Sequence, residues 1–450
     1  MDPQQPPEQH AGTNTALQPR IIPRGEHSIS RKNIDREALK VLYRLRDAGF
    51  TAYLVGGGVR DLLIGKTPKD FDISTDARPG QIHNIFRNSR VIGRRFRLVQ
   101  VFYKGGKIIE VSTFRCSSES EEAVNENGED NVLPANNTFG TPAEDAFRRD
   151  LTINSLFYEI ENFTVIDFTG GVDDLYNGII RLIGDPDRKI TRDPVRILRA
   201  IRHAARNTFI IEENSWRAIL RHAEKLALCP VSRLRDELFK DLHKTPLANW
   251  LPLALESGAL AILLPCYARE HDPAAPMMKL LLDLVTVIDR LHEQRGGPLD
   301  DPTLTALLLL PWAIHRLGVL TPRQGGELFH HSRKVRDGID DALCNLNIKR
   351  ADKEAIASLL TNLVLFTSHA DQGRMPKKLQ RKSYYRQCLL FYEIYREATS
   401  GETIEVELLP PVVVEEEEGA VAPPRGRRHA TRAPAYARGK RKGGIFGLKK

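Results

Sequence analysis

The stretch LVGGGVRDLLIGKTPKDFDIST, residues 54–75, does most to restrict what this chain can fold into. An apolar run ends on three glycines, Gly56 to Gly58. VRDLLIG follows with helical spacing, and KDFDIST then alternates acidic and apolar residues. The pattern predicts a strand, a glycine turn that opens a short helix, and a second strand. On that second strand Asp70 and Asp72 stand two residues apart, and residues i and i+2 point to the same face. Two carboxylates side by side repel each other. A lone DxD reads first as a solvated strand face, and the glycine turn just upstream changes that reading.

Free backbone N–H groups at the start of a helix can hold a phosphate, and Arg60 adds a positive charge one turn in. Mg2+ takes oxygen ligands, often a few carboxylates together with substrate phosphates. Two such ions about 4 Å apart clamp the attacking and leaving oxygens of a phosphoryl displacement. Glu110 is the candidate third carboxylate. It lies on the second strand of RFRLVQVFYKGGKIIEVSTFR, which reads as a hairpin turning at Gly105-Gly106. The stretch is not a Walker A loop: Gly65-Lys66-Thr67 supplies the ending, but Arg60 stands where that motif needs glycine.

Further along, RRDLTIN offers Arg148 and Arg149 to a triphosphate, and Asp150 and Asn154 to a ribose. In RDPVRILRAIR, Arg192, Arg196, Arg199 and Arg202 recur at steps of three and four, which on a single helix makes one basic stripe. Such a stripe suits either a solvated face paired with acids or a site for phosphates and base edges. His271-Asp272 hints at a phosphohydrolase of the HD type, but its partner histidines are not at recognisable spacing and Pro273 follows directly.

The rest of the chain supplies the setting. IDREALKVLYRLRDAGF predicts a helix capped by Asp35, striped by Leu39, Leu42 and Leu45, and ended by Gly49. Residues 116–142 are acidic, Asn-rich and aperiodic, and read as a mobile loop. From about Asp185 nearly every segment has helical period. The expected class is α+β: a mixed α/β head, a long helical region and a disordered tail, acidic and then basic. The formal net charge is +8. Ten Lys or Arg and no acid fall between Arg425 and Lys450, so the remainder is slightly acidic. A basic tail favours a polyanionic partner. The five cysteines show no CxxC, which argues against zinc and a disulfide framework and suggests a reducing compartment. The N-terminal segment has no apolar core, and LTALLLLPWAI, residues 304–314, is too short to span a bilayer. A cytoplasmic protein without membrane insertion is expected.

These motifs, in this order, resemble the class II nucleotidyltransferases of the DNA polymerase β superfamily, which comprise tRNA CCA-adding enzymes and bacterial poly(A) polymerases. LVGGGVRDLLIGKTPKDFDIST is similar to the first motif, EVSTFR to the third-carboxylate strand, and RRDLTINSLFY to the sugar- and phosphate-contacting motif. DFTGGVDDLYNGIIRLIGDP is similar to the hinge, and RDPVRILRAIR to the base-facing helix. The resemblance runs from about residue 20 to 260. Together with composition and periodicity it gives a flexible arm (1–30), a nucleotidyltransferase head (31–184), a helical neck for base recognition and RNA (185–260), a helical RNA-binding body (261–400) and the tail (401–450).

The resemblance further implies two Mg2+ ions held by Asp70 and Asp72, with Glu110 as third catalytic carboxylate. It implies a nucleotide site of Gly56, Gly57, Arg60, Arg148, Arg149, Asp150 and Asn154, with Asp193 and Arg196 at the base edge and Arg199 and Arg202 beside them. The family usually has Glu-Asp where this chain has Arg192-Asp193, which bears on nucleotide choice. IIPRGEHSISRKNID (21–35) and VIGRRFRLVQV (91–101) resemble the poly(A) polymerase branch. The expected activity is template-independent addition of AMP from ATP to RNA 3′ ends, of mRNA and possibly other RNAs. The alternatives are a CCA-adding enzyme and an RNA-binding module with an inactive head.

Overall fold

Asp35 caps the first helix, α1 (Arg36–Asp47), accepting hydrogen bonds from the backbone N–H groups of Glu37 (2.9 Å) and Ala38 (3.1 Å). Ala38, Val41, Leu42 and Leu45 form its buried stripe, with Leu39 at the margin. The computed structural model describes residues 18–93, 97–116, 139–269, 272, 274–370 and 376–403. The first half of the N-terminal arm, most of loop 116–142, His271 and nearly all of the tail lie outside the described residues.

Around α1 the head is a mixed sheet. Its strands are β1 (Arg20–Ile22), β2 (Ala52–Val55), β3 (Asp72–Thr75), β4 (Ser89–Ile92), β5 (Leu98–Phe102), β6 (Ile108–Thr113), β7 (Phe157–Glu159) and β8 (Thr164–Asp167). Between them lie α2 (Gly57–Leu63), α3 (Pro79–Ile85) and α4 (Pro142–Arg148), and α5 (Gly171–Tyr176) follows β8. The order across the sheet is β1-β8-β7-β2-β3-β6-β5-β4. Within this sheet, among the described residues, only β3 and β6 pair in parallel. Alternation sends Leu54, Ile73, Val99, Val101, Ile109 and Val111 into the large core with α1. The opposite face carries a small cluster of Val55, Phe114, Ala146, Phe157 and Ile166.

One detail departs from the sequence reading. β3 starts at Asp72, so Asp70 precedes the strand. Its antiparallel partner β2 ends at Val55, opposite Asp72, because the chain turns away at Gly56. Residues 70 and 71 therefore have no ladder partner in β2. The alternation persists nonetheless: Asp70 and Asp72 are exposed, while Phe71 and Ile73 are buried.

Beyond the head the chain is helical: α6 (Pro186–Arg192), α7 (Arg196–Asn207), α8 (Glu213–His222), α9 (Val231–Lys244), α10 (Leu247–Glu256), α11 (Ala259–Leu263), α12 (Pro276–Arg295), α13 (Asp301–Trp312), α14 (Gly325–Ala342), α15 (Arg350–Ala370), α16 (Lys377–Gln380) and α17 (Tyr385–Ser400). A two-residue parallel pairing joins Ile179–Ile180, near the end of the head, to Ile210–Ile211. Every residue of α13 from Thr303 to Trp312 is buried, so the most apolar run is core. Among the described residues no helix is long and apolar enough to cross a membrane. One apolar core runs continuously from Ile22 in the head to Ile394 in α17.

The basic stripe needs a second correction. RDPVRILRAIR is not one helix. α6 ends at Arg192, Asp193 adopts φ −147° and ψ 86°, and α7 begins at Arg196. Pro194 lacks an N–H and disfavours helical geometry in the residue before it. Arg192 is thus separated from Arg196, Arg199 and Arg202.

Candidate active site

The turn after β2 sets up the site. Gly56 has φ +72° and ψ −138°, a conformation that side-chain-bearing residues avoid, and an added Cβ would lie 3.3 Å from the Arg149 guanidinium. Gly58 lies so close to residues 70 and 71 that its Cβ would sit 3.3 Å from the Asp70 carbonyl oxygen. Bare backbone at both positions lets α2 begin directly above the DxD segment. Gly56→Ala is expected to cost about 1–3 kcal/mol through backbone strain and to displace Arg149; thermal unfolding measures the first effect and nucleotide affinity the second.

Gly56, Gly57, Arg60, Asp70, Asp72, Arg149 and Asn154 line one side of a cleft of about 1050 Å3. The facing wall comes from the helical region: His203 and Arg206 of α7, His243 to Pro246 at and just beyond the end of α9, and the end of α12 through Pro298. Neither Asp70 nor Asp72 hydrogen-bonds or ion-pairs with another side chain among the described residues, although both stand exposed on the cleft floor. Glu110 is the register partner of Asp72 across the parallel β3–β6 pair and accepts a hydrogen bond from Gln100 Nε2 at 3.1 Å. Crowding by surrounding protein, then the Glu110 charge and more weakly that of Asp70, push Asp72 up to about 6, while Arg149 pulls it back. The carboxylate is open to cleft water, which moderates that shift. Among the described residues no three His, Cys, Asp or Glu side chains converge into a ready-made metal cage. Hard oxygen donors that leave coordination positions open fit Mg2+ better than a closed protein cage does, because this ion keeps waters and substrate phosphates.

The arginines divide into two groups. Arg149 borders the cleft, and Asp145 clamps both it (Nη2, 2.8 Å) and Arg148 (Nε, 2.7 Å). Asp145 is fully buried, and neither the DxD nor the arginine pattern pointed to it. Arg60 Nη1 donates to Asn154 Oδ1 at 2.7 Å, while its Nε and Nη2 donate to Asp61. The second group braces the head against the neck. Asp150 accepts hydrogen bonds from Arg196 (2.6 Å) and Arg199, so its carboxylate is engaged with these two side chains. Burial alone would raise Asp150, but the two guanidiniums more than offset it and leave it below the ordinary carboxylate value. Asp193 pairs with Arg233 (2.8 Å) through one oxygen, and its buried Oδ1 has no hydrogen-bond partner. Arg202 turns to α9, where it meets Glu237 and Asp241. None of Glu110, Arg148, Asp150, Asp193, Arg196, Arg199 and Arg202 lines the large cleft. Arg192 borders a separate groove of about 510 Å3 with Asp187, Arg221 and His222. The departure from Glu-Asp to Arg-Asp therefore faces away from the acids.

With this geometry in hand, residues 52–181 match the family model described as the poly A polymerase head domain. Residues 208–270 match the one described as a probable RNA and SrmB-binding site of polymerase A. Over these residues the chain is similar to poly(A) polymerases and CCA-adding enzymes. It is 52% identical to poly(A) polymerase I of Salmonella typhi over 226 residues, which are 50% of this chain and 48% of that protein. It is 39% identical over 205 residues to the CCA-adding enzyme of Lactobacillus helveticus, covering 45% of this chain and 49% of that one. These matches span about half the length of the curated relatives. Among solved structures, the CCA-adding enzyme of Bacillus stearothermophilus in complex with CTP superimposes with a TM-score of 0.55 at 24% identity, over 82% of this chain and 78% of that chain. At that identity the likeness establishes the shared fold.

The cleft wall opposite the acids contains residues that the sequence motifs did not single out: His203, Arg206, His243 and Lys244. Helical spacing carries a signal for two of them. His203 and Arg206 follow Arg196 and Arg199 at steps of three and four, so these four side chains share one face of α7.

Proposed function

We propose that this chain transfers AMP from ATP to RNA 3′ ends without a template. The observation that carries the reading is the pair of exposed, unpartnered carboxylates Asp70 and Asp72 on the floor of a cleft whose walls supply Arg60, Arg149, Arg206 and Lys244. Asp70 and Asp72 would hold two Mg2+ ions, which when bound lower the pKa of the RNA 3′-hydroxyl and neutralise charge on the leaving pyrophosphate. The reaction is attack of that hydroxyl oxygen on the α-phosphorus of ATP, with pyrophosphate departing.

In this reading Glu110 adds negative charge beside Asp72. Arg149, and Arg148 behind it, balance the phosphates. Gly56 and Gly57 present bare backbone to the triphosphate, and Arg60 and Asn154 meet phosphate or ribose. Asp193 Oδ1, an acceptor left over in the interior, suits a base amino group, with Arg196 next to it. Arg199 holds Asp150 in place. The head (31–184), neck (185–260) and body (261–400) would close around ATP and RNA. Greater identity to the poly(A) polymerase than to the CCA-adding relative favours ATP alone as substrate. The five cysteines, none of them in a disulfide, support a reducing compartment such as the cytoplasm.

The test supplies Mg2+ with either a generic single-stranded RNA or a tRNA transcript lacking its 3′ CCA, and with ATP and CTP separately and together. Long ladders on generic RNA with ATP alone, abolished by EDTA, are expected. Three-nucleotide extension confined to tRNA and requiring CTP would instead assign a CCA-adding enzyme. Failure to extend either RNA would leave an RNA-binding module with an inactive head.

A further inference from the structure

His203 stands where the neck meets the two cleft residues proposed to touch the nucleotide. Its Nε2 lies 3.2 Å from Asn154 Nδ2, and its Nδ1 lies 3.3 Å from Arg60 Nη1. Chemistry fixes the direction of these contacts. A guanidinium has only donors, so the Asn154 oxygen faces Arg60 and the Asn154 NH2 faces His203. Both ring nitrogens thus face donors, and the neutral ring has one lone pair to offer: it accepts from Asn154 through Nε2 or from Arg60 through Nδ1. The ring is kept neutral by its surroundings: burial, and then the charges of Arg60, Arg202, Arg206 and Arg199, hold it well below the ordinary histidine value. An apolar side chain here would offer an acceptor to neither Asn154 nor Arg60.

We infer that His203 is a positioning residue. It locks the Asn154 carboxamide and steers the Arg60 guanidinium, so that an incoming nucleotide meets both already oriented. The inference rests on the proposed reading of the cleft as a nucleotide site.

Two substitutions separate positioning from packing. His203→Phe keeps the bulk and removes the acceptor, and His203→Gln returns an acceptor near the place of Nε2. His203→Phe is expected to raise the KM for ATP about three- to tenfold, the loss of one hydrogen bond in a desolvated site, with kcat changed by less than about threefold. His203→Gln should recover most of that affinity. A merely structural role would lower kcat through a smaller active fraction, leave KM alone, and make Gln no better than Phe. An unchanged KM in His203→Phe overturns the inference. Should the Phe variant not fold, His203→Leu, which also lacks an acceptor, must bind ATP more weakly than His203→Gln, and equal binding overturns the inference. Equilibrium dialysis with ATP keeps the two readings apart. If the wild type binds ATP but extends no RNA, the transfer reading falls, and weaker binding by His203→Phe still supports the positioning role. If the wild type binds no ATP, both fall.

Discussion

Asp72→Asn is expected to reduce nucleotide transfer on the order of a thousandfold and, in the absence of divalent ions, to leave the protein at least as stable as the wild type. The two effects have one origin. Asp72 is in register with Glu110 and two residues from Asp70, and no guanidinium or amide satisfies its oxygens. Its pKa in the folded chain is raised from 3.8 to about 6. The folded state therefore binds a proton more readily than the unfolded state between those values, and stability falls as pH rises through that window. Above about pH 6 the full penalty of the ionised group is present; below about pH 4 it has vanished. Asn carries no charge, so the variant should melt at or slightly above the wild-type temperature at pH 7.5 in EDTA, with the difference gone near pH 4. Added Mg2+ should raise the melting temperature of the wild type and not of the variant, because an ion that binds only the native state stabilises it. Full activity in Asp72→Asn would remove Asp72 from the proposed site. A lower melting temperature at pH 7.5 would show that the carboxylate is a structural partner.

The same residue shows what was legible in the sequence. The strand, glycine turn, helix and DxD of residues 54–75 are all set by local rules: period, positive φ and alternation. Each appears where the pattern put it, apart from Asp70 slipping off the end of β3. That slip depends on where β2 turns away, a property of the partner strand. Pro194 was visible in RDPVRILRAIR, and reading it as a break would have removed Arg192 from the stripe in advance. The polar pairings were not legible. Asp150 engages Arg196 and Arg199 at separations of 46 and 49 residues, and His203 reaches Arg60 across 143. Helical spacing says which side chains share a face, not what that face meets. Asp145 illustrates the limit: nothing in its neighbourhood distinguishes it from other acids in helices, yet it is fully buried and holds two arginines at once.

Arg202 is the residue for which the two kinds of reading diverge most. Arg202→Met is expected to destabilise the protein by about 3–5 kcal/mol, the usual consequence of leaving buried charges unpaired. Its guanidinium contacts Asp241, forms an ion pair with Glu237 at 2.6 Å, and donates to the Glu237 carbonyl oxygen at 2.9 Å. Asp241 is fully buried, and its other oxygen accepts from Trp250 Nε1 at 3.1 Å. Burial pushes Asp241 up to about 7 even with Arg202 in place. Without Arg202 it rises further, and Glu237, now held low mainly by that arginine against its own burial, rises with it. Both acids then favour protonation in the folded state, so the deficit of the variant should be largest at alkaline pH and shrink on acidification as they take up protons. Adding Asp241→Asn to Arg202→Met should restore part of the loss at pH 8, because it removes one of the stranded charges. Denaturant unfolding at pH 6 and pH 8 measures all of this. If Arg202→Met retains wild-type stability at both pH values but changes the preference between ATP and CTP, then Arg202 faces the base and not α9. If stability falls as expected and nucleotide preference holds, the last arginine of the stripe is a brace between α7 and α9 and takes no part in choosing the base.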